Sequence, residues 1–452
     1  MLLSYLNRSC LGVTLCIAQI SLYAQNASTD RIYSTLHAKA EQVAGDPSMI
    51  VTNRALNLFF ADKVSSYLSS TGDISLSKNY ATLNTSNGIL SLNHNFAEQL
   101  GTDHRIQSFF TIGVQADVVN GFAAIFSNKE FSNDIGLNVK WTLFGRGSVF
   151  YDNQRQQQRA LVESASVQKG KMNVQRAYIL ASLKKQMEME ATQYESSLGA
   201  MDPALFPGQD AEQVKTGLRA DFYKKLESKY ADLFAQQESQ QLTGSQSFNL
   251  ISDHWTYFSA YIPLTSQKFS VAPTFAENFT DEHLYPWQFS VSESWIWESR
   301  KWGRFFLFVN GGFHENNSVN TKSVNKVSLG DYRALGGTDT VTLAQLKTSD
   351  AYVGNYSNFV TPVLSGQFVY FPPKWNVGIS LYAEQNFGMY NPLNAKVGIP
   401  IRFNDKDGNA KVNFEIQLRS NDISNETQPG KTFWQKSTIG LSVGLPFSSL
   451  LY

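Results

Sequence analysis

The chain has 452 residues, and its 38 acidic side chains balance its 38 basic side chains, so the formal net charge is zero. This balance leaves no basic excess to attract nucleic acid, and no nucleic-acid partner is expected. Aromatic residues reach 13% although the mean hydropathy is only -0.26, a composition that suits a chain with one face in lipid and the other in water.

The first 24 residues have the features of a secretory signal peptide. Arg8 is the positive charge near the start, and an apolar run extends from Cys10 to Leu22. Both cysteines of the sequence, Cys10 and Cys16, fall in this segment. The mature chain is therefore predicted to have no disulfide, thiolate zinc site or cysteine nucleophile. No later segment has the roughly 18 consecutive apolar residues of a membrane-spanning helix.

Residues 25–72 are predicted to form a short helical segment. Leu56, Phe60 and Val64 recur at helical spacing, so they share one face of a helix. A helix that lies on a membrane surface carries many lysine or arginine residues on its polar face, and the polar face of this helix does not. We therefore expect this helix to pack on another part of the protein.

Apolar and polar residues then alternate in many segments, a period that predicts β-strands. In residues 412–418 the even positions are apolar, whereas the odd positions carry amides and a carboxylate. Strands are predicted in residues 73–151, the first part of a barrel, and in 244–452, the remaining part. The twelve predicted strands are 85–96, 105–118, 133–144, 249–263, 267–276, 285–298, 303–315, 357–371, 374–386, 392–403, 410–420 and 434–446.

A soluble all-β protein also has alternating strands, so the alternation alone does not identify a membrane protein. The predicted strands are longer than the usual five or six residues, and short turns alternate with long loops such as 316–356. Several tryptophans, among them Trp297 and Trp375, lie near strand ends, where an interfacial girdle would place them. These features favour an all-β transmembrane antiparallel β-barrel of about 12 strands.

Residues 152–243 interrupt the strand pattern and predict an α-helical hairpin insert. Two helices, roughly 153–198 and 209–242, are separated by a connection that contains Pro203 and Pro207. Apolar stripes on both helices predict that they pack against each other in antiparallel fashion.

The alternating strands, with a final amphipathic strand that ends at Phe447, resemble Gram-negative outer-membrane β-barrel proteins as a broad class. This resemblance implies a location in the outer membrane, contact with outer-membrane lipid and insertion by the barrel-assembly machinery. Proteins of the class commonly end on an aromatic residue, which here is Tyr452. A local stretch, 139–146, also resembles the junction between strand and long helix in TolC-like outer-membrane efflux proteins.

The side of the membrane that holds the insert depends on which segments are counted as strands. The list above places residues 152–243 outside the cell. If 249–276 is one long bent strand and 74–84 is an additional strand, the insert becomes periplasmic. The resemblance at 139–146 favours the periplasmic placement.

Eight charged residues are predicted to line the lumen, because a charge facing lipid at the membrane midplane costs about 2–4 kcal/mol. Their signs are mixed, which fits either a polar, weakly selective pore or a salt-bridged or plugged interior. The eight pore-lining residues are Asp117, Lys140, Glu384, Lys396, Arg402, Lys411, Glu415 and Arg419.

No catalytic, cofactor-binding or metal-binding residues are predicted. Ser442 lies in a G-x-S-x-G sequence, but an alternating strand is not the strand-turn-helix that a hydrolase elbow needs. His94 and His254 are expected either to line the barrel or to be solvated or hydrogen-bonded side chains. The leading hypothesis is a porin-like channel or transporter. The alternatives are a structural or secretion-related envelope barrel that binds a partner through its helical insert, and an outer-membrane barrel enzyme.

Overall fold

The structure is a computed structural model. It describes residues 27–46, 49–65, 67, 75, 79–85, 88–96, 107–119, 122–123, 126–127, 130–131, 135–145, 147–150, 158–202, 210–244, 249–321, 323–335, 342–389, 391–404, 410–426 and 430–446. The predicted signal peptide, Phe447 and Tyr452 lie outside the described residues.

Twelve antiparallel strands form a closed β-barrel. Each strand pairs with the next one along the chain, and the last pairs with the first, so the barrel has simple up-and-down topology. The strands are β1 Asn79–Asn84, β2 Ile89–Phe96, β3 Ser108–Val119, β4 Ile135–Phe144, β5 Leu250–Pro263, β6 Gln288–Ser299, β7 Gly303–Asn317, β8 Asn358–Phe371, β9 Ile379–Asn386, β10 Leu393–Asn404, β11 Ala410–Ser420 and β12 Ser437–Pro446.

The predicted fold class and strand number are confirmed, but one strand was assigned wrongly. Residues 267–276 do not join the barrel, because Gln267–Ala272 belongs to a separate sheet above it. The twelfth strand is instead β1, which pairs with β2 and closes the barrel against β12. Alternation reports which faces of a strand are apolar, but not which sheet the strand joins.

The two ends of the barrel differ. At one end, called the termini end, β1 begins and β12 ends, and the turns 300–302 and 372–378 are short. The helical insert between β4 and β5 lies at this end as well. At the opposite end, called the loop end, the strands are joined by long connections such as 264–287 and 318–357. The insert, the start of β1 and the end of β12 thus share one side of the barrel, as the second strand count requires.

The barrel is polar inside and apolar outside. On β11, Glu415 and Gln417 face inward and are fully buried, whereas Ile416 between them faces outward. The outward Ile439 of β12 is 81% exposed. Glu293 of β6 is an exception, because it faces outward among apolar neighbours and accepts a hydrogen bond from Thr256. A surface with this polarity is the reverse of that of a soluble protein.

The long connections at the loop end carry a second, four-stranded sheet, called the side sheet. Its strands are, in spatial order, Thr280–Leu284, Gln267–Ala272, Thr342–Val353 and Asn325–Leu335. Val271, Val319 and Val324 form its small apolar core. The side sheet therefore extends the wall beyond the rim of the barrel.

In the described part of the chain, four α-helices lie at the termini end: α1 in residues 27–45, α2 Asn53–Ser65, α3 Gln158–Gly199 and α4 Ala211–Gly244. Side chains of α1, α3 and α4, including Leu36, Leu183 and Leu226, share one buried core. The insert is therefore part of a three-helix bundle rather than a free hairpin, because α1 covers the apolar stripes of α3 and α4. None of the described helices is both long and apolar enough to cross a membrane.

Candidate functional site

The N-terminal segment packs inside the termini end of the barrel. Ala61 and Val64 of α2, followed by Tyr67, pack against inward-facing side chains of the barrel. The ring of Tyr67 lies 5.6 Å from that of Phe306, measured between centroids. The buried wall residues of this cluster are Phe109, Trp255, Tyr257, Ile296, Phe306, Val369 and Phe371. We call α2 and Tyr67 together the plug.

Tyr67 also joins the polar lining of the lumen. Its hydroxyl donates to Oε2 of Glu415 at 2.8 Å and accepts from Nε2 of Gln367 at 2.7 Å. Gln367 donates at the same time to Ser380 at 2.9 Å. The tip of the plug is therefore hydrogen-bonded to β8 and β11, on the inner wall of the barrel.

An ion-pair group joins α2 to the wall near the termini end. Lys63 lies 3.2 Å from the carboxylate of Glu298 on β6. Arg304 on β7 lies 2.7 Å from the same carboxylate. All three side chains are largely buried, and removal of one member of a buried pair leaves an uncompensated charge.

A second buried group joins α2 to the helical bundle. Arg176 of α3 and Glu238 of α4 form an ion pair at 2.6 Å, with both side chains almost completely buried. Glu238 also accepts from the backbone N–H and the hydroxyl of Thr52, at 3.1 and 2.6 Å. Thr52 immediately precedes α2, so the bundle fixes the start of the plug helix.

Nearby, Arg54 and Asp232 form a further ion pair between α2 and α4. Burial raises the pKa of Asp232, and the charge of Arg54 opposes that shift. The plug therefore contacts the bundle on one side and the barrel on the other.

A polar cavity of about 480 Å³ occupies the lumen beyond the plug. It begins at the level of Gln367 and Gln417 and extends to the loop end, where Gln267 and Glu315 line it. Its wall carries hydroxyl, amide, lysine and carboxylate groups from most strands of the barrel. Such a lining suits hydrated, polar solutes better than apolar ones.

The structure brings together four of the eight predicted pore-lining residues. Lys140, Glu384, Lys396 and Arg419 line the cavity. Glu384 accepts from Tyr382 at 2.5 Å and from Asn394 at 2.8 Å. The side chain of Lys396 lies over the Tyr382 ring, 5.2 Å from its centroid.

The other four predicted residues are placed differently. Glu415 faces inward, 3.9 Å from Lys396, but it lies in the wall beneath Tyr67. Arg402 faces inward near the termini end, below the plug, with its guanidinium 4.7 Å from the centre of the Phe371 ring. The side chains of Asp117 and Lys411 lie outside the described part of the structure.

Of the two readings of the histidines, the lumen-lining one is wrong. His94 and His254 do not line the barrel, because they lie on the outward face of β2 and β5 with residues such as Leu92 and Ile262. Nδ1 of His94 is hydrogen-bonded to Oδ1 of Asn79 at 2.7 Å.

Sequence reasoning missed the plug. The helical spacing of α2 indicated a packed helix, but nothing in the sequence indicated that its partner is the barrel interior. The tyrosines of the lumen, including Tyr257 and Tyr382, were also missed, because tyrosine occurs on both faces of the strands.

Among the described residues, no group of three or more histidine, cysteine, aspartate or glutamate side chains is arranged to hold a metal ion. No protein-family model matches the sequence, and no curated protein shows significant similarity to it.

Proposed function

We propose that this protein is a porin-like outer-membrane channel or transporter, described here in a closed conformation. One observation carries the proposal. A polar lumen cavity of about 480 Å³ runs from the loop end to a plug made by the chain's own N-terminal segment, inside a barrel with an apolar outer face. A barrel that served only as a scaffold would not need such a cavity.

The apolar outer face supports insertion in a membrane. Exposed leucine, isoleucine, valine and phenylalanine side chains cover the outside of neighbouring strands, for example Leu381, Val397 and Ile416. Water would disfavour so large a contiguous apolar surface, whereas hydrocarbon accepts it. All backbone groups of a closed barrel are paired between strands, as a membrane requires.

The arrangement of the two ends supports one orientation. Outer-membrane barrels have short turns toward the periplasm and long loops toward the exterior. By that rule the termini end, with the plug and the helical bundle, faces the periplasm. The side sheet then lies outside the cell. Solutes would enter from the exterior and meet the plug before they reach the periplasm.

Conductance in planar lipid bilayers tests this proposal. The full chain should show small or rare openings, whereas Tyr67→Ala should open more often because the variant loses the ring packing and two hydrogen bonds. Tyr178→Ala is a matched control, since the side chain of Tyr178 is 75% exposed on α3. If correctly folded preparations of both the full chain and Tyr67→Ala never conduct, the channel proposal is wrong.

A second candidate is an envelope barrel that binds a partner protein through its helical bundle. The outer surface of α3 exposes the apolar side chains Val174, Tyr178 and Met189. Absence of conductance, together with loss of a specific complex on Tyr178→Ser, would favour this candidate over a channel.

A further inference from the structure

Four side chains that line the lumen cavity form a group near the loop end. Tyr261 of β5 faces into the cavity, and its cross-strand partners are Asn138 of β4 on one side and Gln288 of β6 on the other. Gln115 of β3 lines the cavity on the next strand, where it pairs with Gly136 of β4. We call Gln115, Asn138, Tyr261 and Gln288 the cradle.

The ring of Tyr261 lies against the barrel wall, over Gly136. A Cβ added at Gly136 would overlap the ring, so any larger residue at this position would displace it. The glycine therefore lets the ring approach the backbone of β4, while Tyr261 stays partly exposed to the cavity. An aromatic ring placed in this way provides a stacking platform, because its electron-rich face attracts the slightly positive C–H groups of a solute.

The three amides of the cradle have unused hydrogen-bonding capacity. None of their side chains forms a hydrogen bond with the part of the protein that the structure describes. Asn138 is the most informative of them, because it is only 6% exposed and yet lines the cavity. A side-chain amide buried to this extent normally has a partner. Each amide offers two N–H donors and a carbonyl acceptor, so the cradle suits groups that both donate and accept, such as hydroxyls.

The charged side chains deeper in the cavity are engaged by the protein. Glu384 accepts two hydrogen bonds from the wall, and Arg419 donates to an asparagine of the adjoining connection at 2.9 Å. Lys396 lies 3.9 Å from Glu415, and the ammonium of Lys140 lies 6.0 Å from the centre of a tyrosine ring. The four cradle side chains are themselves uncharged. This arrangement favours a neutral solute over an ion at the cradle.

We propose that the cradle binds a neutral saccharide, an inference that rests on the proposed passage of polar solutes through this lumen. A sugar ring has a C–H face that can stack on Tyr261 and a rim of hydroxyls that can bond to the three amides. The cavity volume of about 480 Å³ falls in the range of small-molecule sites, roughly 300–1,000 Å³. A solute that enters from the loop end would meet the cradle before the plug.

Saturation-transfer difference NMR of the full chain in deuterated detergent tests the proposal, because this method detects binding at millimolar affinity. The probes are glucose, galactose, maltose and sucrose, each added separately. Glucuronate is the charged comparison. We expect saturation of the ring C–H protons of at least one neutral sugar, and weaker binding of glucuronate than of that sugar.

Variants locate the site. Tyr261→Ala should weaken sugar binding by about tenfold or more because the platform is lost, whereas Tyr261→Phe keeps the ring and should retain most of the affinity. Asn138→Leu removes the amide at similar side-chain size and should weaken binding about fivefold. Gln288→Leu, at an exposed amide, makes the same test if Asn138→Leu fails to fold. The control is Tyr285→Ala, which removes an exposed tyrosine that does not line the cavity and should leave the affinity unchanged.

Three results would overturn the proposal. The first is no saturation transfer to any of the four neutral sugars, and the second is equal sugar affinity in Tyr261→Ala and Tyr285→Ala. The third is tighter binding of glucuronate than of every neutral sugar, which would assign the site to an anionic solute.

The saccharide proposal and the channel proposal fail separately, because NMR measures binding and the bilayer measures conductance. Conductance of Tyr67→Ala without sugar binding by the full chain would remove the saccharide and leave the channel. Sugar binding that depends on Tyr261, without conductance of Tyr67→Ala, would remove the channel and leave the cradle as a binding site.

Discussion

Tyr67 and Glu415 are separated by 348 residues, and the hydroxyl of Tyr67 donates to the Glu415 carboxylate at 2.8 Å inside the barrel. Glu415 lies on β11, and Tyr67 follows the plug helix. The contact therefore depends on the N-terminal segment entering a barrel whose eleventh strand is made near the other end of the chain. The position of Tyr67 inside the barrel is thus a property of the whole fold.

Replacing Tyr67 by Phe should loosen the plug without removing its ring packing. The variant loses the bonds to Glu415 and Gln367, each of which contributes about 0.5–3 kcal/mol. We expect amides of α2 to exchange hydrogen at least about tenfold faster, as measured by mass spectrometry. Amides of α4 that lie far from the plug serve as the internal reference. Unchanged exchange of α2 would mean that the two hydrogen bonds do not hold it.

Glu238→Ala should destabilise the helical bundle by about 3–5 kcal/mol, because Arg176 would be left buried without its partner. The variant also removes the acceptor for Thr52, so the start of α2 should loosen. Urea unfolding followed by the helical circular dichroism signal measures the loss. Glu212→Ala is the control, since Glu212 is exposed at the start of the same helix. Equal stability of the two variants would contradict the role given to Glu238.

Glu293→Leu should stabilise the barrel in lipid. Glu293 faces outward at the middle of β6, where an acidic group costs up to about 2 kcal/mol, and leucine matches the neighbouring Val291 and Val309. The midpoint of thermal unfolding in lipid vesicles should rise. Glu426→Leu, at an exposed position in a long connection, should produce no such rise. A lower midpoint for Glu293→Leu would mean that this face does not contact lipid.

Gly398→Ala should disturb the polar wall beneath the plug. A Cβ at position 398 would overlap the carboxylate of Glu415, which lies over this glycine. The carboxylate would have to move away from Tyr67, at a cost of about 1–3 kcal/mol. Gly311→Ala is the matched control, because a Cβ there meets open space on the outward face. The prediction fails if both variants unfold at the same urea concentration.

The alternation of side chains was sufficient to predict most of the barrel. Eleven of the twelve predicted strands overlap a barrel strand, because a period of two reports directly on two faces with different surroundings. The error at 267–276 arose because a strand in the side sheet has the same local pattern. β1 is only six residues long, too short for a clear period, so only the second strand count, with a strand at 74–84, included it.

The lumen was predictable only in part. Lys140, Glu384, Lys396 and Arg419 could be assigned from the high cost of charge in lipid. Tyr67 and Lys63 could not be assigned, because their partners Glu415 and Glu298 are distant in sequence. The packing of α1 on α3 and α4 could not be predicted either, because it depends on contacts between residues that are distant in sequence.

We propose that the outer face of the barrel contacts hydrocarbon while the inner face contacts water. Nitroxide labels placed singly at residues 413–418, with Cys10 and Cys16 replaced by serine, test it in proteoliposomes by electron paramagnetic resonance. Labels at Phe414, Ile416 and Leu418 should be relaxed strongly by oxygen, which concentrates in lipid, and labels at the intervening positions should not. The same weak oxygen effect at all six positions, or strong relaxation of Phe414 and Ile416 by a water-soluble nickel complex, would contradict the account.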